Sequence, residues 1–270
     1  MKSERKWIPA AVALAAVFLA GCSGHSRDSF QGYIEGEYVY VASPLGGALT
    51  NLAVARGETV KIGQLLFELE RGAEAAALAE AQKNLQQAQA DLMFSAANYK
   101  RRRQLRDAGG VISAEELDSA RAQRDADAAR VQAQQAALDR AKWAFDQKQQ
   151  FAPTNAFVQD TLYRQGEWVD AGKPVVVLLP PENLKARFFV PQEKLPQIKP
   201  GQKVSVAFDG AAKNYSATVN YISTQAEYTP PVLYNRENRA KLVFMVEAKF
   251  APADAPELRV GQPVDVTLEK

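Results

Sequence analysis

The chain has very little of the two side chains that most often build metal and nucleophilic sites. Its 270 residues include one cysteine and one histidine, His25. A single thiol cannot form an intramolecular disulfide, so packing alone must hold the fold together. We find no Ser/His/Asp set, no phosphate-binding loop and no metal-ligand spacing in the sequence. We therefore predict no enzyme activity, no cofactor and no metal site, and we interpret His25 as a solvated bystander.

An excess of charge of one sign is also missing. The 33 basic residues nearly balance the 31 acidic ones, which leaves a formal net charge of +2. Nucleic-acid-binding domains usually carry a clear basic excess, so we predict no nucleic-acid partner. The local run KRRRQLR, Lys100 to Arg106, is interpreted as a basic helix face in contact with solvent.

The N-terminus contains a short apolar run, Ile8 to Ala20, preceded by basic residues. This run is shorter than the roughly 20 residues that span a bilayer. Basic start, apolar run and small residues together predict a secretory signal at 1–21. Its end, LAGC, resembles a bacterial lipobox, which implies lipid attachment at Cys22 and an anchor and leader at 22–37. The alternative is an uncleaved signal anchor with an incidental cysteine.

Two stretches of the chain repeat each other without a gap. Ser43 to Leu69 aligns with Ala152 to Leu178 at an offset of 109 residues, so that Gly57 falls on Gly166. Each copy has short alternating strands and glycines where a tight turn requires positive φ. Neither copy can bury a core alone, so we expect the two halves to pack face to face as a β-sandwich. The pattern resembles a lipoyl or biotinyl carrier domain split in two, at 38–70 and 152–181, without a modifiable lysine turn.

The segment between the halves, 71–151, is rich in alanine, glutamine, glutamate and lysine, which favour helix. Heptad spacing marks a seam on each of two arms, with alanines at the alternate positions. The seam consists of Leu78, Leu85, Leu92 and Tyr99 on the first arm and Leu117, Arg124, Val131, Leu138 and Phe145 on the second. Gly109-Gly110 ends the first helix, and Ser113 with Glu116 forms a capping box for the second. An antiparallel coiled-coil α-hairpin follows; a small helical bundle is the alternative.

A split lipoyl-like domain that carries such a hairpin, in a lipid-anchored chain, resembles the periplasmic adaptor family, also called HlyD-type membrane fusion proteins. The run LKARFFVPQEKLPQIKPGQKVSVAFDG, starting at Leu184, and the terminal LRVGQPVDVTLE resemble that family's barrel. The resemblance implies an α+β fold: an elongated modular adaptor with a split sandwich, a hairpin and a C-terminal β-barrel at 182–270.

In this family the hairpin tip carries an Arg-x3-Leu-x6-Ser pattern that meets a TolC-type outer-membrane channel. Arg101 and Leu105 match its first part, while Ser113 comes one residue late because of Gly109-Gly110. The resemblance therefore implies a channel-contacting tip at Arg101, Leu105, Gly109, Gly110 and Ser113. For Ser113 a helix N-cap is an equally good interpretation, and the two roles can coexist.

The resemblance implies a tripartite exporter adaptor in the periplasm, held at the inner membrane by its lipid. Its partners would be an inner-membrane transporter, the outer-membrane channel and further copies of the chain in a ring. Adaptors for RND pumps usually add a membrane-proximal domain after the barrel, and this sequence ends at Lys270. We therefore expect an ABC-type transporter, or an MFS-type one. The alternatives are an RND-pump adaptor and a scaffold lipoprotein without a transport role.

Overall fold

The computed structural model describes residues 29–211, 213–228 and 242–269, so the predicted signal and Cys22 lie outside the described residues. The chain forms two compact units. One is the continuous segment Glu37–Pro181, and the other combines the residues before Glu37 with those after Pro181.

The described elements are strands, with one pair of long helices between the fifth and the sixth strand. In chain order they are β1 (Ser29–Gly36), β2 (Val39–Ala42), β3 (Gly47–Leu52), β4 (Thr59–Val60), β5 (Leu65–Leu69), α1 (Gly72–Asp107), α2 (Ala114–Asp146), β6 (Gln149–Phe151), β7 (Ala156–Thr161), β8 (Trp168–Val169), β9 (Pro174–Leu179), β10 (Leu184–Pro191), β11 (Lys203–Ala207), β12 (Tyr215–Tyr228), β13 (Leu242–Phe250) and β14 (Pro263–Leu268). Short 3-10 turns occur at Pro181–Asn183, Leu195–Gln197 and Pro252–Glu257. The α+β fold class is confirmed.

The eight strands β2 to β9 form two four-stranded sheets, ordered β2-β9-β7-β4 and β6-β5-β3-β8. Each sheet takes strands from both repeats, so the expectation that one half packs face to face against the other is wrong. Adding the 109-residue offset converts β2, β3, β4 and β5 into β6, β7, β8 and β9. The same shift therefore maps one sheet onto the other. The halves exchange strands because each copy alone would leave edges without a partner.

The internal symmetry extends to single hydrogen bonds. The Leu49 N–H donates to the Glu167 carbonyl at 2.8 Å, and at the equivalent place the Val158 N–H donates to the Glu58 carbonyl at 2.8 Å. Gly57 and Gly166 share a φ of +94°. That left-handed region is the reason for glycine at both turns, as predicted from the sequence. The two copies thus form one common core.

This core is lined by aliphatic side chains from both repeats and one phenylalanine. Fully buried members include Leu49, Val60, Leu66, Phe67, Leu69, Val158, Val169, Val175, Val176 and Leu178. Equivalent positions such as Leu49 and Val158, or Leu69 and Leu178, are buried to the same extent. Burial of such side chains stabilises a fold by about 1.5–3 kcal/mol each, so neither half is dispensable.

Replacing either turn glycine with alanine should destabilise this unit. A Cβ at Gly57 or Gly166 would meet nothing within 4 Å, so the cost comes from the positive φ alone. We expect Gly57→Ala and Gly166→Ala each to lower the free energy of unfolding by about 1 kcal/mol, measured by urea titration. Gly72→Ala is the matched control, because Gly72 has free space but begins a helix. Equal stability of all three variants would contradict this account of the turns.

The hairpin helices pack along the predicted heptad seam. Buried or half-buried positions on α1 recur at spacings of three and four from Leu78 to Arg102, and on α2 from Leu117 to Phe145. The most buried members are Ala81, Leu85, Ala88 and Ser95 on α1 and Ala120 and Asp127 on α2. Small residues let the two backbones approach closely. The coiled-coil hairpin predicted from the sequence is therefore present.

The second unit is a closed six-stranded barrel in the order β1-β10-β13-β12-β11-β14. Its closing strand is β1, which pairs with β10 on one side and β14 on the other. The predicted leader at 22–37 is therefore wrong from Ser29 onward, and the barrel does not begin at 182. Phe30 and Ile34 point into the barrel core, being 4% and 0% exposed. Without β1 the barrel would leave two unpaired strand edges.

A buried ion cluster crosses three adjacent barrel strands. Glu247 on β13 receives hydrogen bonds from Lys185 at 2.8 Å and from Arg187 at 2.7 Å, both on β10. Arg187 also lies 2.6 Å from the Glu35 carboxylate on β1. Burial raises the pKa of the Glu247 carboxyl, but the hydrogen bonds from Lys185 and Arg187 outweigh that effect and hold the pKa below its usual range. The two cations and two carboxylates balance each other.

The lowered pKa of Glu247 makes barrel stability depend on pH. The stabilising charge is fully present above the unfolded-state pKa, about 4.3 for glutamate, and is lost as the pH falls through the lower folded-state value. Glu247→Gln should cost about 3 kcal/mol at pH 7, because it leaves buried cations short of a partner. The difference from the parent chain should shrink below about pH 4.

Denaturant titrations of the barrel at several pH values would measure this difference. Glu193→Gln removes an exposed carboxylate and should leave stability unchanged at every pH. A cost for Glu247→Gln that stays the same down to pH 3 would show that the charge of Glu247 is not the stabilising feature.

Candidate functional site

The hairpin tip is the place where the two long helices turn. Helix α1 ends at Asp107, and the Gly109 N–H donates to the Arg106 carbonyl at 3.0 Å while the Gly110 N–H donates to the Leu105 carbonyl at 2.8 Å. Gly109 has a φ of +80°. This pair of bonds with a left-handed glycine is the Schellman motif, which satisfies the last carbonyls of a helix. A Cβ on Gly110 would lie 2.8 Å from the Leu105 carbonyl oxygen, so both glycines are required.

Ser113 begins the second helix as its N-cap. Its hydroxyl accepts a hydrogen bond from the Glu116 N–H at 3.1 Å, and the Glu116 carboxylate accepts one from the Ser113 N–H at 3.1 Å. The capping box predicted from the sequence is confirmed. Because the Ser113 side chain already has this role, it is held by α2 and is not free to rotate.

The exposed surface of the tip combines apolar and basic groups. Arg101 and Leu105, four residues apart, project from the same side of α1, and Leu105 is 57% exposed. Val111 in the turn is fully exposed, a feature that the sequence analysis did not single out. The structure thus places all five predicted tip residues between the last two turns of α1 and the start of α2. The tip therefore exposes two apolar side chains, Leu105 and Val111, beside its basic residues.

Charges at the tip follow the helix ends. Arg106 lies in the last turn of α1, and Glu115 and Glu116 lie in the first turn of α2, each where the helix dipole favours its sign. Across the hairpin, Arg102 donates to the Glu116 carbonyl at 3.3 Å. Part of the basic run Lys100 to Arg106 is therefore engaged in contacts within the hairpin.

Substitutions at Ser113 test its capping role. Ser113→Ala should cost about 1 kcal/mol locally, which would raise amide hydrogen exchange over residues 114–117 roughly fivefold. Ser113→Asp keeps an acceptor for the Glu116 N–H and should keep the protection of the parent chain. If Ser113→Ala exchanges no faster than the parent, the hydroxyl does not cap α2.

The base of the hairpin is fixed to the sandwich by polar contacts. Lys148, whose side chain is 6% exposed, donates to the Gly46 carbonyl at 2.7 Å and lies 3.0 Å from the Glu74 carboxylate. The Ser43 hydroxyl donates to the Gln147 carbonyl at 2.9 Å. These contacts fix the base of the helix pair on the sandwich, and the tip lies at the other end of that pair. Sequence reasoning missed Lys148, because a lysine after a helix usually lies in solvent.

A groove of about 300 Å³ runs along one side of the hairpin, halfway between base and tip. Its floor contains Ser95 and Asp127. Both side chains are polar, yet they are only 4% and 5% exposed because they occupy seam positions. The Asp127 carboxylate accepts hydrogen bonds from the Gln123 amide at 3.1 and 3.2 Å. No cationic side chain of the described residues lies within ion-pair distance of it. Both positions lie seven residues beyond a buried alanine, Ala88 and Ala120, but the sequence analysis did not single out either residue.

Two further structural tests concern the described residues only. They contain no group of three or more histidine, cysteine, aspartate or glutamate side chains that could hold a metal ion. In the same ranges no helix combines the length and apolar character that a membrane span requires. The two long helices, α1 and α2, pack against each other along the hairpin seam.

Comparison with known proteins identifies the hairpin. Residues 77–148 match the family model described as the α-helical hairpin domain of RND membrane fusion proteins. The Escherichia coli K12 protein YdhJ is 30% identical over 191 residues, which cover 71% of this chain and 66% of YdhJ. The UPF0194 membrane protein Ent638_1286 of Enterobacter sp. strain 638 is 27% identical over 274 residues, or 82% of each chain.

A solved structure shares the fold. The membrane fusion protein Spr0693 of Streptococcus pneumoniae R6 superposes with a TM-score of 0.66 at 17% identity. The match covers 90% of this chain and 98% of that one. The combination of sandwich, hairpin and barrel is therefore not peculiar to this sequence.

Proposed function

Because this chain belongs to the membrane fusion protein family, we propose that it is the periplasmic adaptor of a tripartite exporter. In this role it links an inner-membrane transporter to a TolC-type outer-membrane channel. The observation that carries the proposal is a capped hairpin tip with exposed Leu105 and Val111, at the end of a long helix pair. Adaptors of this kind are scaffolds, and no residue of this chain performs chemistry in the proposed role.

The hairpin supplies reach and direction. Helix α1 has 36 residues, which at 1.5 Å per residue gives a length of about 54 Å. Its base is held by the Lys148 and Ser43 contacts, so movement of the sandwich would be transmitted to the tip. The five tip residues, Arg101, Leu105, Gly109, Gly110 and Ser113, are proposed to contact the channel: Arg101 and Leu105 by direct contact, the glycines and Ser113 by fixing the turn.

The class of the transporter stays a prediction. The sequence favoured an ABC-type or MFS-type partner, whereas the hairpin matches a model named for RND adaptors. We propose a transporter of the inner membrane and let the capture experiment below identify its class. Several copies around one transporter are proposed to form a ring.

The membrane attachment is proposed to be the lipid on Cys22. The LAGC motif supports it, and two or more acyl chains on one residue would anchor stably. A lipid on Cys22 would support the proposed location in the periplasm, anchored to the inner membrane. An exported chain with a single cysteine must be held together by packing and not by disulfides. The shared core of the sandwich supplies such packing.

Photo-crosslinking in cells tests the channel contact. A photoreactive residue at Leu105 or at Val111 should capture an outer-membrane channel subunit, identified by mass spectrometry. The same probe at Glu80, exposed near the hairpin base, is the control and should yield at least tenfold less of that product. Ser113 is avoided as a probe site because its side chain caps α2.

Two outcomes would contradict the proposal. Capture of soluble periplasmic proteins alone at both tip positions, at normal expression, would favour the scaffold lipoprotein. Equal channel capture at Glu80 and Leu105 would show that the tip is not the contact. A transporter subunit captured with any probe identifies its class directly.

A further inference from the structure

From the groove on the hairpin, we infer that this chain binds a small organic cation between α1 and α2. The ligand class is a molecule that joins one ammonium or amidinium group to a flat apolar body. Ser95 and Asp127 form the floor of the groove, and Phe94 lies at its rim. The inference concerns the hairpin alone and stands independently of the proposed function.

The groove is built from one face of each helix. Its lining residues recur at spacings of three and four, which places them on the same side of a helix. On α1 they include Phe94, Ser95 and Asn98, and on α2 they include Ala120, Gln123 and Asp127. The small side chains of Ser95 and Ala120 leave the space between the helices open. A volume of about 300 Å³ is at the lower end of the range for small-ligand pockets.

The lining carries one negative charge that the hairpin does not offset. Arg130 lies 3.9 Å from Asp91, so these two charges largely offset each other. Asp127 remains, and it is 5% exposed. Both of its carboxylate oxygens accept from one donor, the Gln123 amide nitrogen, at 3.1 and 3.2 Å. Because a buried carboxylate costs free energy unless a cation or several donors satisfy it, a ligand with one positive charge matches the groove.

A second glutamine–aspartate pair on α2 shows how the groove differs from the rest of the helix. Gln135 donates to the Asp139 carboxylate at 3.0 Å, with the same spacing of four residues. Both residues of that pair are exposed, so water supplies the remaining hydrogen bonds of the carboxylate. Asp127 has the same local partner but little contact with water. Its carboxylate therefore gains more from a cationic ligand than the Asp139 carboxylate does.

The rim of the groove adds a surface for the apolar part of the ligand. Phe94 lines the groove and is nevertheless 71% exposed. The face of an aromatic ring attracts a cation, and it also stacks against other flat rings. Because Phe94 belongs to α1 and Asp127 belongs to α2, a ligand that contacts both side chains would connect the two helices.

Two other kinds of cation match the groove less well. A divalent metal ion needs several ligands, and the described residues contain no group of three or more histidine, cysteine, aspartate or glutamate side chains that could hold one. An inorganic monovalent ion has no flat apolar part to place against Phe94. An amidinium group, in contrast, presents two parallel N–H donors to a carboxylate, as arginine does.

Binding of benzamidine to the full chain tests the inference. Benzamide is the matched control ligand, because it has nearly the same shape without the charge. We expect isothermal titration calorimetry at millimolar ligand to show saturable binding of one benzamidine per chain, with an affinity about tenfold above that of benzamide. Equal affinities for the two ligands, or no saturable binding of benzamidine, would overturn the inference.

Substitutions locate the bound probe. Asp127→Asn keeps an acceptor for Gln123 but removes the charge, and it should weaken benzamidine binding roughly tenfold. Asp139→Asn removes an exposed carboxylate with the same local partner and should leave binding unchanged. Phe94→Ala should weaken binding about threefold. Met93→Ala removes an equally exposed side chain outside the groove lining and should have no effect.

Amide hydrogen exchange supplies a readout on both helices. Bound benzamidine should slow exchange in residues 91–98 and 123–130 together, and benzamide should not. Slower exchange only in other parts of the chain would contradict the inference. So would equal losses of binding in Asp127→Asn and Asp139→Asn, because they would indicate nonspecific attraction of a cation to acidic residues.

A folding control keeps the test decisive. If circular dichroism shows that Asp127→Asn loses helix, the comparison of Phe94→Ala with Met93→Ala decides, because both replace mostly exposed side chains. Equal binding in those two variants would then overturn the inference. The cross-linking probes at Leu105 and Val111 concern the tip and not the groove. Failure of the groove experiment would therefore leave the proposed adaptor function standing.

Discussion

The pairing of β5 with β6 is the constraint on which the rest of the structure depends. These strands precede and follow the hairpin, and their antiparallel register joins Glu68 to Gln149 and Leu65 to Phe151. The pairing forces about eighty residues to leave and re-enter the sandwich at one place. Two helices that start and finish side by side must be antiparallel and nearly equal in length, as α1 and α2 are. The position of the tip is thus set by two strands at the base.

The hairpin itself has a weak apolar seam, and its ends compensate for this. Alanine, serine and aspartate occupy many of the buried positions, so side-chain burial per turn is small compared with a leucine-rich coiled coil. Helix propensity, the Schellman motif at Gly109-Gly110 and the capping box at Ser113 supply local stability at the tip. The Lys148 contacts supply it at the base. Such a hairpin therefore has a well-defined direction in spite of its weak seam.

The sequence was most informative where local chemistry and pattern coincide. Gly57 and Gly166 were predicted at positive φ because the repeat places a turn at both, and Ser113 was predicted as a cap because Glu116 follows at the right distance. The sequence was least informative where the partner is remote. β1 is eight residues long, and the strands that it pairs with follow it by about 150 and 230 residues along the chain, so nothing local separates it from a leader. Lys185 and Arg187 alternate with apolar residues in β10, but their partners Glu35 and Glu247 come from distant strands.

The face-to-face packing expected for the two repeats failed for a related reason. A repeat shows that two segments share a conformation, but it does not show whether they lie in separate sheets or exchange strands. Likewise, the sequence analysis named leucines and alanines along the hairpin seam but not Asp127, because nothing local indicates that an aspartate in a helix is buried. The tip residues are in the places that the motif indicated, and their contact with a channel is a matter for experiment.

The discontinuous barrel has a consequence for biogenesis. A chain that crosses a membrane from its N-terminus delivers β1 first, yet β1 pairs with β14, whose register joins Ser29 to Thr267. The sandwich with its hairpin is one uninterrupted segment and can be complete once Pro181 has emerged. The barrel must wait for nearly the entire polypeptide, so its first strand remains an open edge throughout translocation. The proposed export from the N-terminus would therefore impose an order of assembly in which the hairpin is complete before the barrel can close.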